Sequence, residues 1–312
     1  MTAAPHLIAK IARADLTQDL DLSAHELDAL LDLAADVKDT PRRYATSLTG
    51  KSIALLFEKP SLRTRLTFEL AIQQLGGISV LNEGQIGGRE PLKDVARNLE
   101  RWVSGIVART FLQKTVDDLA RWSHVPVINA LSDLWHPCQI LADIQTLREH
   151  FGSVQGLELT FVGDGNNVAH SLMVTSARLG MNFTLAHPPK YEPVAAVVAQ
   201  ARELAARSGS RVVITTDAAE AVRGAHAVYT DVWASMGAET EAAERREAFA
   251  DYQVNDELMA RADSRAVFMH CLPAKRGEEV TDSVMESPRS VAFDQAENRL
   301  HAQKALLLML LS

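Results

Sequence analysis

At 312 residues the chain is too long for one ordinary domain and long enough for two, each with its own core. Its 32 basic and 40 acidic residues give a net charge of −8 with no basic tract, so a nucleic-acid partner is not expected and any anion must be held by a local cluster. Two cysteines make no disulfide framework, no apolar run approaches a membrane span, and the first residues lack a charged-then-apolar leader. The expectation is a cytoplasmic protein without a membrane partner.

Taken in chain order, a helix near 23–37 precedes apolar strands alternating with amphipathic helices. Strands are expected at 52–58, 78–81, 104–109 and 125–129, with helices near 64–75, 91–102, 115–122 and 137–150. The stretch 151–156 breaks the rhythm, which resumes with strands near 157–162, 182–186, 211–215, 226–230, 266–269 and 290–293. The fold class is α/β, with two domains, each a mostly parallel sheet flanked by helices, and linking helices between them. The boundaries expected are 1–150 and 151–295, with a final apolar helix (about 296–312) packing back on the first domain.

The segment from Ser52 to Gly77 is the most informative. A buried strand, a turn at Glu58-Lys59-Pro60 and the run Ser61-Leu62-Arg63-Thr64-Arg65 lead into a helix closed by Gly76-Gly77. Unpaired amides and the positive end of the helix dipole attract a dianion there, and Arg supplies a forked donor for phosphate oxygens. The alternative is that Ser61 caps a helix whose arginines are solvated.

Two further strings follow predicted strands: His136-Pro137-Cys138-Gln139, with Pro at the first position of a helix, and His270-Cys271-Leu272-Pro273-Ala274. His136 and Gln139 are three apart, so both can face one cleft. Ser61, Arg109, His136, Asn167, Asp231 and Cys271 all fall near strand ends, where open parallel sheets place ligands, and one cleft between the domains is expected to collect them. Gly163-Asp164-Gly165-Asn166-Asn167 superficially suits a dinucleotide. However, the third glycine of that fingerprint would be Val168, and Ala186-His187-Pro188 offers no acid for a ribose, so NAD is disfavoured. A metal centre of His136, Cys138, His270 and Cys271 is also disfavoured, because adjacent His270 and Cys271 should not readily aim at one ion.

Together with Asp231-Val232-Trp233-Ala234-Ser235-Met236-Gly237 and Glu297-Asn298-Arg299, these strings resemble the carbamoyltransferase family and, within it, the ornithine carbamoyltransferases. The resemblance runs from about Ser52 to Lys304. It implies transfer of the carbamoyl group of carbamoyl phosphate to the δ-amine of L-ornithine, giving L-citrulline and phosphate in arginine metabolism, with no cofactor and no metal. By the same resemblance, carbamoyl phosphate contacts fall on Ser61, Leu62, Arg63, Thr64, Arg109, His136, Gln139, Arg299 and the carbonyls of Cys271 and Leu272. Gln85 is lent by a neighbouring subunit of a homotrimer. Ornithine contacts fall on Asn167, Asp231, Ser235 and Met236, and the catalytic set is Asp231, Cys271, His136 and Arg109. Asn166 is expected only to cap a helix. Position 62 departs from the usual Thr of this motif, and a backbone amide can make the contact expected there. Two alternatives stay open: a carbamoyltransferase for another amine (putrescine or aspartate), and a non-catalytic sensor of carbamoyl phosphate.

Overall fold

The computed structural model describes residues 8–12, 15–234 and 241–312. The chain divides into two compact units, one of residues 1–145 with 298–312 and the other of 146–297.

The first unit begins with α1 (Ala24–Asp39), started by a reciprocal cap in which the Ser23 hydroxyl accepts from the Glu26 amide and Glu26 accepts from the Ser23 amide. Strand then alternates with helix: β1 (Ser52–Phe57), α2 (Arg63–Gln74), β2 (Ile78–Glu83), α3 (Leu92–Leu99), β3 (Gly105–Arg109), α4 (Gln113–Trp122), β4 (Val127–Leu131) and α5 (Pro137–Phe151). The sheet order is β2-β1-β3-β4, and every pairing is parallel. From β1 the chain winds first to β2 and then back to β3, so the order reverses between β1 and β3. Crevices that receive ligands form at such reversals, beyond the carboxyl ends of the strands. Ala54, Leu56, Ile106, Ala108 and Val127 pack with Ala96, Val116 and Leu119 of α3 and α4 on one face.

The second unit repeats the plan with β5 (Glu158–Val162), α6 (Asn167–Arg178), β6 (Asn182–Ala186), α7 (Ala195–Ser208), β7 (Val212–Thr215), α8 (Ala218–Ala221), β8 (Ala227–Thr230), α9 (Ala242–Ala248), α10 (Asp256–Met259), β9 (Val267–His270), α11 (Asp282–Met285) and α12 (Ala292–Leu311). Its order, β7-β6-β5-β8-β9, is again wholly parallel and reverses between β5 and β8. A core of Val162, Val228, Trp233, Phe249, Tyr252, Phe268 and Val280 lies on one side of this sheet.

The strand expected at 290–293 does not form. Ser290 makes a single bridge to Phe268, and α12 has begun by Ala292. The reason lies at the edge of β9: after Val291 donates to the Phe268 carbonyl, the Gln295 side chain accepts from the His270 amide at 2.8 Å. A helical side chain thus completes the edge that a further strand would have covered. Both divisions between the units fall inside helices, α5 and α12, rather than in loops.

Candidate functional site

In the first unit the residues that follow β1 and β3 are drawn together by hydrogen bonds between distant parts of the sequence. Thr64, in the first turn of α2, is buried. Its hydroxyl accepts from Arg299 Nη2 at 2.6 Å and, more weakly, from Arg109 Nη1 at 3.5 Å. Arg299 Nη1 donates to Gln139 Oε1 at 3.0 Å, and Gln139 Nε2 donates to Asp143 Oδ1 at 2.8 Å. Arg109, Gln139, Arg299 and His136 are all buried. Burial, followed by the nearby charges of Arg299 and Arg109, holds the His136 imidazole well below its ordinary pKa. At neutral pH it is an uncharged hydrogen-bonding ring beside two guanidinium groups.

The start of α2 is open in the way an anion site requires. Its N-cap is Leu62, 68% exposed and with no side-chain cap, so Ser61 does not take the capping role left open to it. Arg63 is the first helical residue, whereas Arg65 turns to Glu69 and Glu83 at 3.2 and 3.1 Å. Cys138 donates its thiol to the Asn129 carbonyl at 3.3 Å, and burial pushes its pKa up to about 12, so it serves packing rather than reaction. The hydrogen bonds of this set do not include Gln85, which is exposed on the turn after β2.

In the second unit a different set gathers at the ends of β5, β8 and β9. Asp231 follows β8. Its Oδ1 accepts from its neighbour's Val232 amide at 2.8 Å and from the Cys271 thiol at 3.0 Å, and its Oδ2 accepts from Asn166 Nδ2 at 2.9 Å. Asn166 caps α6 through the Val168 and Ala169 amides, so it does more than the cap expected of it. Asn167 opens the same helix, half buried. Gly165 is required for packing: a Cβ there would meet the Pro193 nitrogen at 2.3 Å. This accounts for a glycine that otherwise resembles part of a nucleotide loop.

Behind Cys271 lies a buried pair the sequence reading did not assign. Leu272, with φ of +57°, donates its amide to His270 Nδ1 at 2.8 Å. That bond leaves the imidazole proton on Nε2, facing Glu279 Oε1 at 3.2 Å. Glu279 Oε1 also accepts from the Lys275 amide at 2.5 Å. The Cys271-Leu272 turn is therefore held by a carboxylate and imidazole that are both fully buried. The visible signal was His270 itself, directly before Cys271; its partner nine residues on had none.

Donor atoms of Asp231, His270 and Cys271 lie within 4.8 Å of one another, so sequence adjacency does not keep His270 and Cys271 apart as expected. Both nitrogens of His270 are engaged, however, and a metal would have to displace Leu272 or Glu279. Ser235 and Met236 lie outside the described residues.

Residues 14–149 match the family described as aspartate/ornithine carbamoyltransferase, carbamoyl-P binding domain, and residues 155–310 match its Asp/Orn binding domain. The chain is 52% identical to the ornithine carbamoyltransferase of Acidothermus cellulolyticus, covering 94% of this chain and 95% of that one. It is 49% identical to that of Thermococcus kodakarensis, covering 98% of each. The solved ornithine carbamoyltransferase of Pyrococcus furiosus superposes with a TM-score of 0.94 at 46% identity, covering 97% of this chain and 99% of that one. The chain belongs to the aspartate/ornithine carbamoyltransferase family.

Proposed function

We propose that the protein is an ornithine carbamoyltransferase, which joins carbamoyl phosphate and L-ornithine to give L-citrulline and phosphate. The observation that carries this reading is the convergence of Arg109 and Arg299 on Thr64 beside a neutral His136, a buried cationic set suited to a phosphorylated carbonyl compound.

In this reading Ser61, Leu62, Arg63 and Thr64 deliver amides, a hydroxyl and a guanidinium to the phosphate at the start of α2, with Arg299 and, from a neighbouring subunit, Gln85. His136, Arg109 and Gln139 take the carbamoyl oxygen and amide, and the Cys271 and Leu272 carbonyls complete the amide's contacts. Asn167 and Asp231 grip the α-carboxylate and α-ammonium of ornithine, with Ser235 and Met236 alongside. The neutral δ-amine attacks the carbamoyl carbon, the oxyanion of the tetrahedral species faces Arg63, Thr64, Arg109 and His136, and the C–O bond to phosphate breaks, with the leaving phosphate taking the proton the amine loses. Positioning and prearranged charge supply the catalysis. Ornithine's δ-ammonium must lose its proton first, which desolvation and neighbouring positive charge favour. Cys271, bonded to Asp231, orients the amine.

A homotrimer with shared sites belongs to the same proposal. Leu66 and Leu70 form an exposed pair four residues apart on α2, and Ile78 and Val80 are exposed on the edge strand β2. A second copy of the chain against that face would bury these side chains and bring up the turn that carries Gln85. Arginine biosynthesis in the cytoplasm is the setting proposed. Among the described residues no helix is long and apolar enough to cross a membrane.

The test is citrulline formation from carbamoyl phosphate and ornithine, with putrescine and aspartate as competing acceptors. Carbamoyl phosphate binding without any acceptor turnover would instead establish a sensor, and preferred use of another amine would establish a different carbamoyltransferase.

A further inference from the structure

We infer that Arg245 is a positioning residue for amino-acid recognition: one guanidinium ties the turn after β5 to the segment leaving β8, the two pieces of chain on which Asn166, Asn167 and Asp231 stand. The inference rests on the reading that this unit receives the amino-acid substrate.

Arg245, on α9, donates through Nη1 to Asp164 Oδ2 at 2.7 Å and to the Trp233 carbonyl at 2.9 Å, and through Nε to Glu241 Oε2 at 3.0 Å. Its guanidinium carbon lies 4.8 Å from the centre of the Tyr191 ring. Its side chain is 14% exposed and that of Asp164 is 16% exposed. The ion pairs Arg223 with Glu220 and Arg261 with Glu257 on the same unit are mostly in water, where such pairs contribute little. Arg245 differs from them in burial and in its number of partners.

Three of these partners, Asp164, Tyr191 and Trp233, lead to the site. Asp164 accepts the Asn166 amide on its own carbonyl at 2.8 Å, and Tyr191 accepts the Gly165 amide at 3.0 Å. The turn that presents Asn166 to Asp231 is thus gripped from its side chain, its backbone and the stacked ring. Trp233 follows Asp231 by two residues, so the bond to its carbonyl fixes the exit of β8. Electrostatics point the same way. Burial is the main influence raising the Asp164 pKa, the hydrogen bond and charge of Arg245 oppose it, and the nearby Asp231 adds to it. Without Arg245, Asp164 is left either protonated and turned away or as a second uncompensated carboxylate beside Asp231.

The experiment compares wild-type protein, Arg245→Gln and Arg245→Lys by steady-state kinetics, varying each substrate, and by amide hydrogen exchange. Arg245→Gln should raise the ornithine KM at least tenfold and by more than it lowers kcat, with the carbamoyl phosphate KM within twofold. Arg245→Lys should recover part of the loss. Exchange in Arg245→Gln should quicken at 163–167 and 231–234 and stay unchanged at 52–64. An ornithine KM within twofold of wild type, an equal rise in both KM values, or unchanged exchange in the two tied segments would overturn the inference. Exchange reads the tie whether or not citrulline forms, so a wild-type protein that makes no citrulline counts against the proposed function while Arg245 is still judged on its own evidence.

Discussion

The two units solve the same topological problem with opposite charge. In the first, two guanidinium groups and a neutral imidazole are buried around Thr64 at the reversal between β1 and β3. In the second, the reversal between β5 and β8 holds a carboxylate fixed by an amide side chain and a thiol. In the proposed reading, sheet topology specifies where ligands bind, and side chains at the strand ends specify which ligand binds there. A cationic pocket selects a dianion and an anionic one selects an amine.

The largest expected effect attacks the cationic half. Arg299→Ala removes donors aimed at Thr64 and Gln139 and should lower kcat/KM by about 10²- to 10³-fold, because in the proposed reading Arg299 clamps the phosphate whose charge grows as it leaves. A loss below tenfold in steady-state assays would break the contrast. Next comes the anionic half. Asp231→Asn should lower kcat/KM for ornithine by about 10²-fold, or ~2.7 kcal/mol, somewhat less than the ~3–5 kcal/mol lost when one partner of a buried charge pair is removed outright, because Asn keeps an acceptor oxygen. Calorimetry should show carbamoyl phosphate binding unchanged, and equal weakening of both ligands would merge the two halves into one. A smaller effect concerns pH. His136 has a folded pKa well below that of the unfolded chain, so the unfolded state binds more protons in between. The stability held by neutral His136 is fully present above about pH 6.5 and is lost as pH falls from there toward the folded value. Urea titrations should show a slope of at most ~1.4 kcal/mol per pH unit from this group, and His136→Gln should lack that component. An unaltered slope would show that the ring takes up its proton in the fold as readily as in the unfolded chain. Smallest of all, Leu62→Thr restores the family's more usual residue at an exposed position and should change kcat/KM by no more than about twofold, in line with ~0.5 kcal/mol for surface substitutions. A tenfold change would give that side chain a direct part in phosphate binding.

What was legible in the sequence was local. Strand and helix alternation, the open start of α2 and the placing of His136 and Cys271 just beyond strands all come from periodicity and punctuation over a few residues. What was not legible joins residues far apart in the chain. Asn166 reads as a cap because capping is a contact with the next three residues, whereas its bond to Asp231 spans 65 positions. Arg245 reads as one more charge on an amphipathic helix, because its bond to Asp164 spans 81 positions. The segment 290–293 is apolar enough for a strand, and only the Gln295 side chain on the β9 edge explains why helix takes over. Ser235 and Met236 rest on the family resemblance alone.

The division of α12 has a consequence for the order in which the protein is made. Arg299 reaches Thr64 and Gln139 across 235 and 160 positions, and Leu311 fills the space beside Gly105 that a Cβ would enter. All of these belong to the first unit, yet residues 298–312 are made after the whole second unit. The second unit is an uninterrupted stretch of chain. The first must wait with an unfilled seam beside β3 and without the Arg299 contact to Thr64. Truncation within the last turns of α12 is therefore expected to injure the part of the fold that began first, and the proposed anion site can be complete only once Arg299 has been added.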